Sequence, residues 1–138
     1  MFLYGGTAIS WRSVKQTMVA TSSNHSAILT LHEASRECFW LRSMIHHIAS
    51  SCGLQSIREK PTTLYEDNTA CITQIKAGFI KGDRTKHISP KFFHIHELQE
   101  TKEIDVLRVC SSENLADLFT KALPKTTFEK LEIGRAHV

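Results

Sequence analysis

At 138 residues, with 41% hydrophobic and 22% charged side chains, the chain has room for one proper core and the composition of an ordinary folded domain. That excludes a disordered class, and no apolar run approaches the roughly 20 residues a membrane span needs. The net charge of +3 is too small to imply a nucleic-acid partner by itself, so any such partner must be read from where the charge lies.

Met1 to Tyr4 is a short apolar run without the basic start of a signal peptide, and Gly5-Gly6 after it is a turn signal. Thr7 to Trp11 resumes with alternation, so the first eleven residues predict a hairpin. A hairpin at the very start leaves its outer edge unpaired, which raises the expectation of a missing N-terminal piece. Ser22-Ser23-Asn24 offers caps for a long helix. Its apolar stripe runs Ala27, Leu31, Ala34, Cys38, Leu41, Ile45, Ile48 and Cys52, and Gly53 closes it. His32, Arg36, Ser43 and His47 are expected on its solvent side.

Pro61 introduces a strand over Thr62 to Tyr65, and a helix with apolar Cys71, Ile72 and Ile75 follows. Asp67 sits between them. Either Asp67 or Asn68 can cap that helix; equally, a carboxylate at the carboxyl end of a strand is where open α/β sheets place chemistry. Gly78 to Pro90 reads as a loop. Between Lys76 and Lys91 it carries Lys76, Lys81, Arg84, Lys86, His87 and Lys91 against Asp83 as the one acid. Such a cluster suits a phosphate backbone, and it also suits a solvated lysine-rich loop.

Ser89-Pro90 opens a helix to about Thr101, Ile104 to Cys110 reads as a strand, and Ser111 to Asn114 caps a last helix from Leu115 to Ala122. Asp117 falls at the start of that helix, where it favours the helix dipole or, paired with Asp67, suits a divalent metal. Ile133 to Val138 fits no element and has the look of an assembly scar. The expected domains are thus 1–131, one α/β sheet flanked by helices, and 132–138, a non-native tail. The four cysteines form no C-x-x-C pair and read as reduced, mostly buried thiols of an intracellular protein, cytoplasmic or nuclear. A zinc site is weakly indicated: His94 and His96 point apart on a helix, and His46-His47 are surface neighbours.

Several stretches together carry a resemblance: Ile9-Ser10-Trp11-Arg12-Ser13, Val19-Ala20-Thr21-Ser22-Ser23-Asn24-His25, Glu33 to Arg42, Tyr65-Glu66-Asp67-Asn68, Asp83 to Ile88, and Asn114 to Pro124. In this order and spacing the chain resembles the ribonuclease H domain of the Pol polyprotein of copia-type LTR retrotransposons, plant ones especially, from Met1 to about Leu131. The resemblance implies a five-stranded mixed sheet and an endonuclease that uses two Mg²⁺ ions to hydrolyse the RNA strand of RNA–DNA hybrids during reverse transcription. It implies Asp67 and Asp117 as catalytic, metal-binding carboxylates. It also implies that Ser22, Ser23, Asn24, Asn68, Arg84, Lys86 and His87 contact the nucleic acid, and that the reverse transcriptase portion of the parent polyprotein is a partner, with no membrane involved.

The pattern departs from the family at two of its four carboxylates. The first-strand aspartate is expected upstream of Met1, with the first strand itself missing, and the family's helix glutamate aligns with Ala27. The expectation is a catalytically defective copy, a pseudoenzyme of a transposable element, with Mg²⁺ binding weak or absent. A competent nuclease whose first strand lies upstream, and a non-enzymatic nucleic-acid-binding or host-adopted module, are the alternatives.

Overall fold

The computed structural model describes residues 1–54, 60–80 and 88–136. Among them the chain is an α/β fold with two two-stranded sheets, dividing into a unit of Met18–Arg108 and a unit of Met1–Thr17 with Val109–Val138.

In the larger unit the elements run α1 (Ser23–Ser51), β3 (Thr62–Glu66), α2 (Thr69–Ala77), α3 (Ser89–Glu100) and β4 (Ile104–Arg108), while β1 (Phe2–Tyr4) and β2 (Thr7–Ser10) belong to the other unit. β3 and β4 pair in parallel, Leu64 opposite Val106. Alternation along both strands then sorts the side chains. Leu64, Ile104 and Val106 are buried with Ile28, Leu31, Cys38, Cys71, Ile75, Phe92 and Ile95 from the helices, while Thr63, Tyr65 and Leu107 are exposed. Within this unit the helices therefore cover one face of the sheet, not both as expected.

The outer edge of β4 is partly closed by a side chain. Gln99 Oε1 accepts the Val106 N–H at 2.9 Å, which satisfies a ladder donor that a two-stranded sheet leaves open. Arg42 fastens α1 to the start of β3, donating to the Lys60 carbonyl and to Thr62 Oγ1, both at 2.8 Å.

α1 corrects the sequence reading in its second half. Ile48 and Cys52, expected in the core stripe, are exposed, and Ala49 is buried instead. The stripe chosen from the sequence repeats every 3.5 residues, whereas a straight α-helix turns every 3.6. A seven-residue stripe therefore drifts by about 20° per heptad and leaves the core after three of them. His32, expected on the solvent side, is mostly buried. Of the four free thiols Cys38 and Cys71 are buried, Cys52 and Cys110 exposed.

In the smaller unit β1 (Phe2–Tyr4) and β2 (Thr7–Ser10) form the expected antiparallel hairpin, Tyr4 opposite Thr7. Gly5 and Gly6 both have positive φ, +56° and +78°, the twist a two-residue hairpin turn requires. Trp11 stacks on Phe119 with ring centroids 6.0 Å apart. The expected helix over Leu115 to Ala122 is shorter: Ser111–Glu113 forms one 3₁₀ turn, and α4 spans Asp117–Thr120. α5 (Lys125–Ala136) continues through 133–136, residues expected to lie outside any element. The one mixed sheet implied by the resemblance is absent as such among the described residues, because the four strands pair two by two. No described helix is long and apolar enough to cross a membrane.

Candidate functional site

The turn from β3 into α2 settles which side chain caps the helix. Asn68 has extended backbone angles, and its Oδ1 accepts the Cys71 N–H at 3.1 Å, the geometry of an N-cap. Asp67 is thereby released from capping and stands at the end of a parallel strand, half-buried. Asn68→Ala is expected to cost about 1 kcal/mol, read as a lower denaturation midpoint with an unchanged m-value.

Beside Asp67 lies a carboxyl group that the sequence reading passed over. Glu66 Oε1 accepts the Asn68 N–H at 2.9 Å. Burial pushes the Glu66 carboxyl above the usual range, and the adjacent Asp67 carboxyl pushes the same way, against the Asn68 N–H, which favours the charged form. Two neighbouring carboxyl groups in a half-buried turn repel when both are ionised. The same charge, with burial as the larger cause, raises the Cys71 thiol beneath it to about 12, which keeps that sulfur inert.

The N-terminus of α1 brings Asn24 onto α2. Asn24 Nδ2 donates to Gln74 Oε1 at 2.7 Å, and Asn24 Oδ1 is buried without a hydrogen-bond partner. Ser22, exposed, caps α1 by accepting the His25 N–H at 3.2 Å, and Ser23 is exposed beside it. Of the expected nucleic-acid residues, Ser22, Ser23, Asn24 and Asn68 thus lie in the larger unit, the first three at the start of α1 and Asn68 at the start of α2. Arg84, Lys86 and His87 lie outside the described residues. Ala27 sits in the early turns of α1, where its methyl group ligates nothing.

Asp117 belongs to the other unit and opens α4. It is 6% exposed, and its carboxylate is held by Lys121 Nζ at 3.0 and 3.1 Å to its two oxygens. The pair spans four residues, the spacing at which helical side chains meet, so Lys121 was legible in the sequence and went unread. Among the described residues no group of three or more His, Cys, Asp or Glu side chains is placed to hold a metal ion. With Asp117 engaged by Lys121 and alanine at position 27, the residues present fit a two-metal centre poorly.

A second polar cluster joins α1 to α3. Glu33 Oε1 lies 3.7 Å from Arg36, 3.9 Å from Lys91 and 3.7 Å from His32 Nδ1, the last too long for a hydrogen bond. His32 meets His94 edge to face, ring centroids 5.5 Å apart. Burial first, then the charges of Lys91, His94 and Arg36, push the His32 pKa below its ordinary 6.5, while Glu33 opposes them. A base with a depressed folded pKa binds fewer protons folded than unfolded. Its contribution to stability is intact above the unfolded pKa and is lost as the pH falls through that value toward the folded one. The thermal stability of the wild type is therefore expected to fall from pH 7 to pH 5, and His32→Gln is expected to flatten part of that slope.

No protein-family model matches the chain, and no solved structure does. Curated relatives do match. The chain is 30% identical over 129 residues to the "Retrovirus-related Pol polyprotein from transposon TNT 1-94" of Nicotiana tabacum, covering 94% of this chain and 9% of that protein. It is 30% identical over 125 residues to the Pol polyprotein from transposon RE1 of Arabidopsis thaliana, covering 91% of this chain and 8% of that one. It is 26% identical over 133 residues to the Transposon Ty1-NL2 Gag-Pol polyprotein of Saccharomyces cerevisiae, covering 95% of this chain and 7% of that one. The chain spans less than a tenth of the length of the relatives it matches. Its homologues are retrotransposon Pol polyproteins, and it corresponds to a short segment of them.

Proposed function

We propose that this segment is the ribonuclease H domain of a copia-type Pol polyprotein, that it retains a surface for RNA–DNA hybrids, and that its hydrolysis is defective. The observation that carries the reading is the likeness to Pol polyproteins along nearly the whole chain. Within the molecule, Asp67 freed from capping at a strand end supports the placement of a former nuclease site there. Ala27 and the Lys121-bound Asp117 support the loss of activity. Mg²⁺, the cofactor the reading implies, is expected to bind weakly or not at all.

Hybrid recognition by shape and phosphate contacts needs little base readout, so it tolerates the loss of metal ligands. Ser22, Ser23 and Asn24 at the start of α1, Asn68 at the start of α2, and the basic loop with Arg84, Lys86 and His87 are the proposed contacts. The test is fluorescence anisotropy with a labelled RNA–DNA hybrid, run beside a cleavage gel with Mg²⁺ or Mn²⁺. Expected is binding that weakens by roughly 10²-fold or more between 50 and 200 mM salt, without cleavage. Cleavage would overturn the defective half of the reading, and absence of hybrid binding at low salt would overturn the other half. A non-enzymatic host-adopted module makes the same binding prediction; the reverse transcriptase portion of the parent polyprotein is a partner only in the first reading.

A further inference from the structure

The carboxylate of Asp117 is served by one residue alone. Lys121 Nζ lies 3.0 Å from one of its oxygens and 3.1 Å from the other. Among the described residues no other hydrogen bond or ion pair reaches either oxygen. The backbone closes on the same place, the Lys121 N–H donating to the Asp117 carbonyl at 3.1 Å. Lys121 ends the four-residue helix α4 in extended backbone, so its side chain returns over the single turn it terminates.

The two partners are unequally held. The Asp117 side chain is 9% exposed, that of Lys121 57%. α4 is not free to turn the carboxylate out to water. Its Leu118 and Phe119 line a small apolar cavity with Met1, Leu3 and Ala8, and Phe119 stacks on Trp11. Lysine, by contrast, carries a compact charge on a flexible four-carbon stem, here largely in water. The aspartate is therefore fixed and the lysine is the partner able to leave.

A buried carboxylate with no counter-charge is costly, so a positive group has to stand at this position. A hard divalent cation such as Mg²⁺ brings twice the charge of an ammonium and approaches carboxylate oxygens to about 2.0–2.1 Å. It can take the place only by expelling Lys121. We infer that Lys121 is the resident counter-cation of Asp117, a displaceable ammonium with which any divalent metal ion must compete for this carboxylate. Residue 121 thus sets how tightly the position takes a metal. The inference deepens the reading of Asp117 as a metal-binding carboxylate and rests on that part of it; hybrid binding and cleavage have no share in its test.

The test uses Mn²⁺ as the probe, with free Mn²⁺ read by electron paramagnetic resonance and stability by thermal unfolding. Lys121→Met is expected to lower the melting temperature and to tighten Mn²⁺ binding about tenfold or more over the wild type. Mn²⁺ should then raise the melting temperature of Lys121→Met in proportion to its binding, and leave that of the wild type nearly unchanged. Lys121→Arg keeps the cation and should behave as the wild type. Adding Asp117→Asn to Lys121→Met removes the uncompensated charge, so the double variant should regain stability and lose the tighter binding. Should Lys121→Met be unfolded without metal, Mn²⁺ is expected to refold it, as followed by circular dichroism. An Mn²⁺ affinity unchanged by Lys121→Met, tighter binding that survives Asp117→Asn, or an unfolded Lys121→Met that Mn²⁺ does not recover would each overturn the inference. Absence of hybrid binding in the anisotropy assay would sink the proposed hybrid surface and leave these results standing.

Discussion

Replacing Phe92 with alanine is expected to cost about 3–5 kcal/mol and to lower the melting temperature by roughly 15–30 °C. Phe92 is completely buried in α3, among the side chains that α1, α2 and the β3–β4 pair present to one another. Its ring also meets Phe93 edge to face, centroids 5.4 Å apart and planes at 81°. Truncation removes the transfer energy of the ring and leaves a cavity that three helices and a sheet cannot all close on. Domains of this size hold about 5–15 kcal/mol in total, so the variant stands close to unfolding. Phe93→Ala is the internal control, because Phe93 is 50% exposed and its truncation should cost less than about 1 kcal/mol. Chemical denaturation of the two variants side by side checks the pair. Equal losses would mean that α3 buries a different face.

Gly78→Ala is expected to cost about 2–4 kcal/mol. Two costs combine there. Gly78 ends α2 with φ of +76°, a left-handed conformation that costs a side-chain-bearing residue about 1 kcal/mol. An added Cβ would also lie 2.7 Å from Nε2 and 2.8 Å from Cε1 of His96. That imidazole cannot simply turn aside, because its Nδ1–H donates to the Ile75 carbonyl at 2.8 Å. Alanine therefore strains the backbone and breaks the bond that ties α3 to the end of α2. A double-mutant cycle separates the two costs. In a His96→Ala background Gly78→Ala should cost only the backbone part, about 1 kcal/mol. An unchanged penalty there would show that the imidazole contact is immaterial.

The two changes report on one feature, the clasp of α2 and α3 over the β3–β4 pair. The β3–α2 turn that presents Asp67 is part of that clasp. Loosening it is therefore expected to disturb the proposed hybrid surface.

Much of this was legible in the residues alone, and the reason is local. Ser22, Asn68 and Gly78 signal helix ends through groups that bond within three or four positions. The Gly5-Gly6 turn needs only its own backbone angles. The strands read at Thr62 to Tyr65 and Ile104 to Cys110 declare themselves by side-chain type, and the structure has them at Thr62–Glu66 and Ile104–Arg108. Asp67 could be placed at a strand end for the same reason. Whether it or Asn68 capped α2 could not be decided, because both carry the right oxygen and only the turn's path selects one.

What the tertiary structure decided depends on residues far apart in the chain. The sequence could not say that Asn24 would bond Gln74, that Gln99 would close the edge of β4, or that His32 would be buried against α3. Each requires knowing which helix lies on which. The stripe of α1 shows the limit most clearly. Its apolar residues repeat in sequence as though all served one core, yet the helix turns slightly more slowly than the repeat. Over its length that mismatch carries Ile48 out of the core, where the sequence alone had placed it, and leaves it 54% exposed.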